Sequence, residues 1–459
     1  MALRTPELLA PAGSLAMLHT AFAFGATAIY AGQPRYSLRV RNNDFGDLAV
    51  LRQGIEHAHG LGHKFFLVSN IFPHGNKIKS YVQNMAPVVA LRPDAMIMSD
   101  PGLIMMVRET WPEMEIHLSV QANTVNAAAV RFWKSVGISR VILSRELSLD
   151  QVEQIRQDCP DTELEVFVHG ALCIAYSGRC LLSGYFNHRD ANQGSCTNSC
   201  RWDYKTQPGV VDASGDILTP QEAAARERQE PRAEVYMIEE GQRPGSYMPI
   251  EEDEHGTYVM NSKDLRAIEH VKRLVEIGVD SLKIEGRTKS PYYVARTVQS
   301  YRRAIDDAVA GREMDPALLG QLEGLANRGY TSGFFQRHTP QETQNYLRGY
   351  SESGRSLYVG DVLSFDATRG LAEVNVRNRF AVGDWLEIIH PQGNHDVRLT
   401  SMENLEGQPM TVAPGSGHVV WLPLPQSDVG SFVARYVALQ EGRAPGEVPS
   451  SVTASDQVA

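Results

Sequence analysis

The sequence predicts an α/β fold, a TIM-like (β/α) barrel, followed by a small C-terminal all-β barrel domain. Two observations carry this prediction. Short apolar runs alternate with amphipathic segments from the N-terminus onward, which is typical of repeated strand-helix units around a parallel sheet. The chain of 459 residues also exceeds the size at which one hydrophobic core stops growing, so a large domain with a smaller one is expected.

The predicted strands are the short apolar runs, of which there are eight. They are Glu7 to Ala10, Ala28 to Ala31, Lys64 to Ser69, Ala95 to Ser99, Glu115 to Val120, Arg140 to Ser144, Leu164 to Val168 and Ser281 to Ile284. Eight strands with helices between them favour a closed barrel. A doubly wound open sheet uses similar units, so closure is inferred from the count alone.

Helical periodicity separates these runs, with glycines as stop signals at Gly62 and Gly137. Asp100 before Pro101 is interpreted as a helix start rather than as a catalytic group. The apolar positions that recur at helical spacing are Leu48, Leu51, Ile55 and Ala58 in one segment and Val125, Ala129, Phe132 and Val136 in another.

The repeat is interrupted after the seventh strand. We predict a barrel domain over residues 1–337, with an insertion at 171–260 before a helix from Asp264 to Ile277. Within the insertion, Gln221 to Gly245 has few large apolar residues and is expected to be mobile. A linker at 338–355 precedes the β domain at 356–440, where Ala372, Val374 and Val376 alternate with polar residues, and 441–459 is expected to be a disordered tail.

The charge balance is mildly acidic, with 44 Lys plus Arg against 54 Asp plus Glu, so the chain has no global attraction to a polyanion. Contact with a nucleic acid must therefore rest on a local basic surface. The candidate RNA-binding residues follow the second and eighth strands: Arg39, Arg41, Lys289 and Arg296. No apolar run reaches the length of a membrane span, and we expect a cytoplasmic protein that binds neither membrane nor DNA.

Four of the five cysteines fall within one segment of the insertion: Cys173, Cys180, Cys196 and Cys200. Such clustering in a cytosolic protein indicates a metal site, and four thiolates suit zinc or an iron-sulfur cluster equally well on ligand count. Cys159 lies apart near the end of a predicted helix and is interpreted as a small buried apolar residue.

Polar side chains stand at the C-terminal ends of the predicted strands, where barrel active sites collect. His169 and Glu285 are the candidate catalytic residues, as proton-transfer groups. The arginines among the other candidates have planar forks that suit carboxylate or phosphate, and Tyr176 offers a ring for a splayed base. The substrate-binding candidates are Arg35, Asn70, Gln121, Arg145, Tyr176, Lys283 and Arg287.

The sequence resembles a known family in several long blocks. These are Glu165 to Ser183, Asn261 to Leu265, Leu282 to Arg287 and Asn327 to Gly333. The family is the collagenase-like peptidases of unassigned mechanism, called U32. Within it, Ala31 to Arg41 and Ser99 to Ile104 are most similar to a branch that modifies tRNA.

The resemblance to that branch implies prephenate-dependent formation of 5-hydroxyuridine at the wobble position of tRNA, with the tRNA anticodon loop and prephenate as partners. Relatives that carry four-iron four-sulfur clusters on cysteines in this region imply a 4Fe-4S cluster rather than zinc. Two alternatives stay open. One is a peptidase, although the sequence holds no His-Glu-x-x-His or Gly-x-Ser-x-Gly motif. The other is a noncatalytic RNA-binding protein with structural zinc.

Overall fold

The computed structural model describes most of the two folded regions of the chain. Residues described with their side chains are 3–32, 35–37, 43–73, 77–171, 264–287, 289–325, 330–336 and 356–436, and residue 76 is described by its backbone. The backbone alone is described for residues 175–176, 179–180, 204–211, 217–218, 235–240, 247–253, 256–258, 261–262 and 344–345.

Eight parallel strands form a closed barrel, as predicted. They are β1 (Glu7–Pro11), β2 (Ala28–Gly32), β3 (Lys64–Ser69), β4 (Ala95–Met98), β5 (Ile116–Leu118), β6 (Arg140–Ile142), β7 (Glu163–Ala171) and β8 (Ser281–Ile284). Each strand pairs with the next in the order of this numbering. Closure comes from β8, where Leu282 is opposite Leu8 of β1 and Val166 of β7.

Helices connect the strands and begin mostly at side-chain caps. They are α1 (Leu15–Ala23), α2 (Leu48–Gly60), α3 (Asn76–Lys79), α4 (Tyr81–Val89), α5 (Pro101–Thr110), α6 (Ala127–Ser135), α7 (Leu149–Asp158), α8 (Val271–Ile277), α9 (Pro291–Val309) and α10 (Ala317–Glu323). Asp100 accepts a hydrogen bond from the Leu103 N–H at 2.8 Å, which confirms its role as a helix cap. No helix in the described part of the chain is both long and apolar enough to cross a membrane.

The segment Asp264 to Ile277 differs from the single helix that was predicted. Asp264–Arg266 is a strand, a 3₁₀ turn covers Ile268–His270, and α8 begins at Val271. The reason is that β7 extends beyond the barrel and its end pairs antiparallel with this strand, Gly170 opposite Leu265. Gly170 has φ +105°, and a Cβ there would lie 2.6 Å from the Glu285 carbonyl oxygen, so only glycine fits this bend beside β8.

The insertion contributes antiparallel strands whose backbone is described. Five of them form one sheet, in the order Ile217–Leu218, Tyr204–Val211, Val235–Glu240, Tyr247–Asp253 and Gly256–Tyr258. Asn261–Ser262 pairs with Gln344–Asn345. Apart from Val235–Glu240, the segment predicted to be mobile, Gln221 to Gly245, lies outside the described residues, as does the tail 441–459.

Two compact units divide the chain, residues 1–319 with 326–352, and residues 320–325 with 353–459. The second unit is an antiparallel all-β fold. Its main sheet has the order His395–Arg398, Trp385–Ile389, Phe432–Tyr436, Ser356–Asp366, Leu371–Val376 and Val419–Leu422, and Phe380–Ala381 pairs with Val412–Ala413. The predicted alternation is confirmed, because Ala372, Val374 and Val376 are fully buried and the residues between them are half-buried.

Candidate functional site

A network of buried charged side chains occupies the interior of the barrel. The Glu165 carboxylate accepts hydrogen bonds from Lys283 Nζ at 2.8 Å and from Arg140 at 3.2 Å, and Arg140 also contacts Glu7 at 2.6 Å. Burial lowers the pKa of the Lys283 ammonium, and the charge of Glu165 opposes that shift. Lys283, which was predicted to bind substrate, is therefore a residue of the barrel interior. It is 3% exposed and already paired with Glu165.

Tyr30 of β2 packs against this charged network. Its hydroxyl lies 2.9 Å from Oε2 of Glu285 and 2.9 Å from the carbonyl oxygen of Ile284, and its ring centroid is 4.4 Å from Lys283 Nζ. Burial, and then the charge of Glu285, raises the pKa of Tyr30 well above its usual value, so the hydroxyl keeps its proton as a donor at neutral pH. The predicted proton-transfer residue Glu285 is thus held by a tyrosine that the sequence analysis did not single out.

Two of the predicted anion-binding arginines lie near the same tyrosine. The Arg145 guanidinium carbon lies 3.8 Å from the Phe167 ring centroid, and Nη1 donates to the Ala171 carbonyl at 2.7 Å. Arg287 lies 5.8 Å from the Tyr30 ring and donates to Ser37 Oγ at 2.9 Å. The charges of both arginines lower the pKa of Tyr30 and so oppose the larger effects of burial and of Glu285.

Arg145 retains hydrogen-bonding capacity, because its buried Nε has no hydrogen-bond partner among the residues that the structure describes. The close packing of Arg287 depends on Gly32, where a Cβ would lie 2.4 Å from Arg287 Nη1. The third arginine, Arg35, is exposed and donates to Ser80 Oγ at 3.3 Å. Stacked guanidinium groups with fixed forks are suited to bind carboxylates or phosphates at this end of the barrel.

An uncharged polar cluster occupies the ends of β3, β4 and β5. Asn70 Nδ2 donates to Gln121 Oε1, and the same oxygen accepts from Ser99 Oγ and from Ser119 Oγ, each at 3.1 Å. Ser99 and Ser119 are buried, whereas Asn70 and Gln121 are half-buried. The predicted residues Asn70 and Gln121 are therefore brought into direct contact, at strand ends where ligands of such barrels bind.

His169 lies in an aromatic surround at the end of β7, with the ring centroids of Tyr293, Tyr301 and Tyr330 between 5.5 and 5.9 Å away. The Tyr301 hydroxyl donates to the Val168 carbonyl at 2.6 Å and lies 3.3 Å from His169 Nδ1, so Nδ1 carries the proton of the neutral ring. Burial, with the charges of Arg266 and Lys289, lowers the pKa of His169 to about 3. At neutral pH the imidazole is uncharged.

The predicted RNA-binding residues separate into different environments. Arg39 and Arg41 lie outside the described residues. Lys289 is half-buried, with Nζ 5.6 Å from the Tyr293 ring. Arg296 is 2% exposed, so the prediction that it contacts RNA is corrected: α9 buries every residue from Tyr292 to Tyr301, and the guanidinium is inside the fold.

The cysteine segment is described at one point only. Cys180 pairs with Ala175 in a two-stranded hairpin, in which Tyr176 is opposite Arg179, and Cys173 precedes Ala175 by two positions in the sequence. The other predicted ligands, Cys196 and Cys200, lie outside the described residues, as does Cys173. The side chains that are described contain no group of three or more His, Cys, Asp or Glu placed to hold a metal.

The donor set of the cysteine segment nevertheless fits a metal group by its chemistry, because four thiols supply a complete ligand set for zinc or an iron-sulfur cluster. The remaining cysteine, Cys159, is free and buried at the end of α7, as expected for an apolar packing residue.

Comparison with known proteins gives matches over nearly the whole chain. A family model described as Peptidase family U32 matches residues 13–345, and another described as Peptidase family U32 C-terminal domain matches residues 355–433. The chain is 59% identical over 428 residues to tRNA hydroxylation protein P of Escherichia coli (strain K12), with 92% of this chain and 94% of that protein covered.

Two further relatives extend the comparison. The protein of the same name from Haemophilus influenzae is 55% identical over 431 residues, with 92% of this chain and 94% of that protein covered. The 23S rRNA 5-hydroxycytidine C2501 synthase of Escherichia coli (strain K12) is 28% identical over 364 residues, with 79% of this chain and 47% of that protein covered.

Proposed function

The protein belongs to peptidase family U32, and on that premise we propose that it is a tRNA-modifying enzyme that hydroxylates the wobble uridine to 5-hydroxyuridine. The observation that carries the proposal is the 59% identity to a protein named for tRNA hydroxylation, over 92% of this chain. The net change replaces the C5–H bond of uracil by a C5–OH bond, which is a two-electron oxidation and requires an oxygen donor and an electron acceptor in addition to the described residues. A cytoplasmic location is part of the proposal, because tRNA is the substrate.

Groups at the C-terminal ends of the barrel strands, here called the mouth of the barrel, support the proposal. Amide and hydroxyl groups at the ends of β3 to β5 provide hydrogen bonds for an uncharged base. Glu285, held by Tyr30, lies among the groups at the end of β8 and is our choice to remove the proton from C5. A wobble uridine is single-stranded and can be splayed into such a pocket at modest cost.

Prephenate is proposed as the co-substrate. It carries two carboxylates, and Arg145 and Arg287 offer planar forks that bind carboxylates in a bidentate manner. Arg145 has a buried Nε that forms no hydrogen bond within the described part of the chain. Phe167 stacks on the Arg145 guanidinium and Ser37 accepts a hydrogen bond from that of Arg287, so little conformational entropy is lost when the anion binds.

Cys173, Cys180, Cys196 and Cys200 would hold a 4Fe-4S cluster in this proposal, with zinc as the alternative metal. The cluster, when bound, supplies one-electron transfer. The residues of the barrel then have separate tasks: they bind the co-substrate anion, orient the base and hold the proton-transfer group.

Two other functions are compatible with the family name or the cysteine segment. A peptidase would require an activated nucleophile, but the histidine at the mouth, His169, is hydrogen-bonded to Tyr301 and has a pKa of about 3, too low for a general base at neutral pH. A noncatalytic RNA-binding protein with structural zinc would bind tRNA without changing it.

Deletion of the gene, followed by mass spectrometry of tRNA nucleosides, tests the proposal. We expect 5-hydroxyuridine and its derivatives to disappear and to return when the intact gene is supplied on a plasmid. An unchanged nucleoside profile, together with peptide cleavage by the purified protein, would favour the peptidase. An unchanged profile with tight tRNA binding and bound zinc would favour the noncatalytic RNA-binding protein.

A further inference from the structure

We propose that the side-chain amide of Gln121 selects uridine over cytidine by donating a hydrogen bond to the 4-oxo group of the target base. The inference rests on the proposed function and deepens it, because it assigns the choice between the two pyrimidines to one residue. One relative in the family is named for tRNA hydroxylation and another for synthesis of 5-hydroxycytidine in 23S rRNA.

The first step is the orientation of the amide. Gln121 Oε1 accepts hydrogen bonds from Asn70 Nδ2, from Ser99 Oγ at 3.1 Å and from Ser119 Oγ at 3.1 Å. Only an oxygen can serve all three contacts, because an amide nitrogen has two hydrogens and no lone pair and could satisfy at most two of them. The three donors come from the ends of β3, β4 and β5, so the barrel itself fixes the amide.

The second step concerns the other terminal atom. Gln121 is half-buried. Its Nε2 forms no hydrogen bond within the described part of the chain, and this atom is not fully buried. Its two N–H groups are therefore accessible to a ligand while its oxygen is fully used. The Gln121 amide therefore presents donors to a ligand, and its acceptor is already occupied.

The third step is the chemistry of the base. Uracil carries an acceptor at position 4 and cytosine carries an amino donor there, so a fixed N–H pairs with uracil and opposes cytosine. Because the oxygen of the amide is held by three donors, the side chain cannot rotate to present an acceptor instead without breaking that network. A donor facing a donor in a desolvated site typically reduces the rate by roughly tenfold to a hundredfold.

Substitution of Gln121→Glu tests the proposal, with purified, cluster-loaded protein and two anticodon stem-loop RNAs that carry uridine or cytidine at the wobble position. The glutamate keeps an oxygen for the three donors but replaces the N–H groups by an acceptor. We expect hydroxylation of the uridine RNA to fall by about tenfold or more and that of the cytidine RNA to rise relative to it. Gln151→Glu is the matched control, because it adds the same charge at the α7 cap, and it should keep the wild-type preference.

A second measurement needs no variant and so does not depend on folding. Wild-type protein should hydroxylate an RNA whose target base lacks the 4-oxo group, a pyrimidin-2-one riboside, about tenfold or more slowly than the uridine RNA. Equal rates on these two RNAs, or a Gln121→Glu protein that retains the wild-type preference for uridine, would overturn the inference. Absence of hydroxylation of any RNA by wild-type protein would instead overturn the proposed function, so the two failures are distinguishable.

Discussion

The Tyr30 hydroxyl lies 2.9 Å from Oε2 of Glu285, and this contact joins β2 to the loop after β8. The tyrosine ring also covers Lys283, whose Nζ is 4.4 Å from the ring centroid. One side chain therefore separates the buried ammonium below from the carboxylate at the mouth and orients the carboxylate by a hydrogen bond. If Glu285 transfers a proton, its position depends on Tyr30.

Substitution of Tyr30→Phe should remove this hydrogen bond and keep the ring. A hydrogen bond to a charged group typically contributes about 1.5 to 3 kcal/mol, so we expect the hydroxylation rate to fall by roughly tenfold to a hundredfold. Tyr358→Phe is the matched control, because Tyr358 donates to the Asp361 carboxylate in the C-terminal unit. That variant should retain full activity in the same RNA assay. Equal rates for Tyr30→Phe and wild type would mean that the hydroxyl does not position a reacting group.

Much of the fold could be predicted because the barrel strands are short, apolar and regularly spaced. Periodicity alone was less reliable for the outward-facing positions. In α2, Leu51, Ile55 and Ala58 are buried as expected, but Phe132 at the end of α6 is 57% exposed and Val136 is 42% exposed. Both residues repeat at helical spacing, yet the buried contact of α6 is made by Val130. A sequence pattern identifies the helix but does not establish which of its faces meets the barrel.

The site was predictable where a strand end supplies the residue and less so where packing decides. Asn70, Gln121, Arg145, Glu285 and Arg287 follow strands, and their positions at the mouth follow from barrel topology. Tyr30 was missed because it lies within β2, whose five residues are all buried, so no alternation in the sequence marks the ring that points into the barrel. Arg296 was assigned to RNA from its charge, but α9 buries it, and burial of an arginine cannot be inferred from the residue type.

The metal prediction concerns the cysteine segment. Protein purified without oxygen should be brown and contain iron and acid-labile sulfide in near-equal amounts, and Cys180→Ser should lose both together with hydroxylation. Cys159→Ser is the control. Its thiol is buried at the end of α7 and contacts the Ala127 carbonyl at 3.6 Å, so that variant should keep the iron and sulfide. Stoichiometric zinc without sulfide in wild-type protein would contradict the iron-sulfur assignment.

The acid stability of the barrel should depend on His169. The pKa of His169 is about 3 in the folded state and 6.5 in the unfolded chain. Between these pH values the unfolded chain binds a proton that the folded protein does not, so the free energy of unfolding decreases as the pH falls. From pH 7 to pH 5 we expect a loss of about 2 kcal/mol from this group. His117 shifts in the same direction through burial.

Urea unfolding of wild type and His169→Asn at pH 7 and pH 5 measures this dependence. The variant should be less stable at pH 7 but should lose less stability between the two pH values, because the side chain at position 169 no longer titrates. A pH dependence as steep as that of wild type would show that His169 is not buried as a neutral ring in solution.

The buried pair Glu165 and Lys283 should be required for barrel stability more than for binding. Lys283→Met leaves the Glu165 carboxylate with Arg140 as its remaining cationic partner, and breaking a buried ion pair costs about 3 to 5 kcal/mol. The double variant Lys283→Met with Glu165→Gln removes both charges and should recover a substantial part of that loss. Thermal unfolding measures both. If the double variant is no more stable than Lys283→Met, the two side chains do not act as a pair.

The docking of tRNA should depend on exposed cations and not on Arg296. Replacing Arg35 and Lys289 by Ala removes one exposed and one half-buried charge near the mouth. Each lost phosphate contact should reduce the slope of log affinity against log salt by about 0.7 to 0.9, because fewer counterions are released on binding. Affinity should fall at low salt, while the content of iron and sulfide should not change.

Arg296→Ala separates charge from burial in the same assay. The Arg296 guanidinium is 2% exposed within α9, so its removal should lower the melting temperature but leave the salt slope of tRNA binding unchanged in the protein that remains folded. The comparison uses fluorescence anisotropy of a labelled anticodon stem-loop over a series of salt concentrations. If Arg296→Ala flattened the slope and the Arg35 and Lys289 substitutions did not, α9 would open in solution, and its buried face would be the surface that binds RNA.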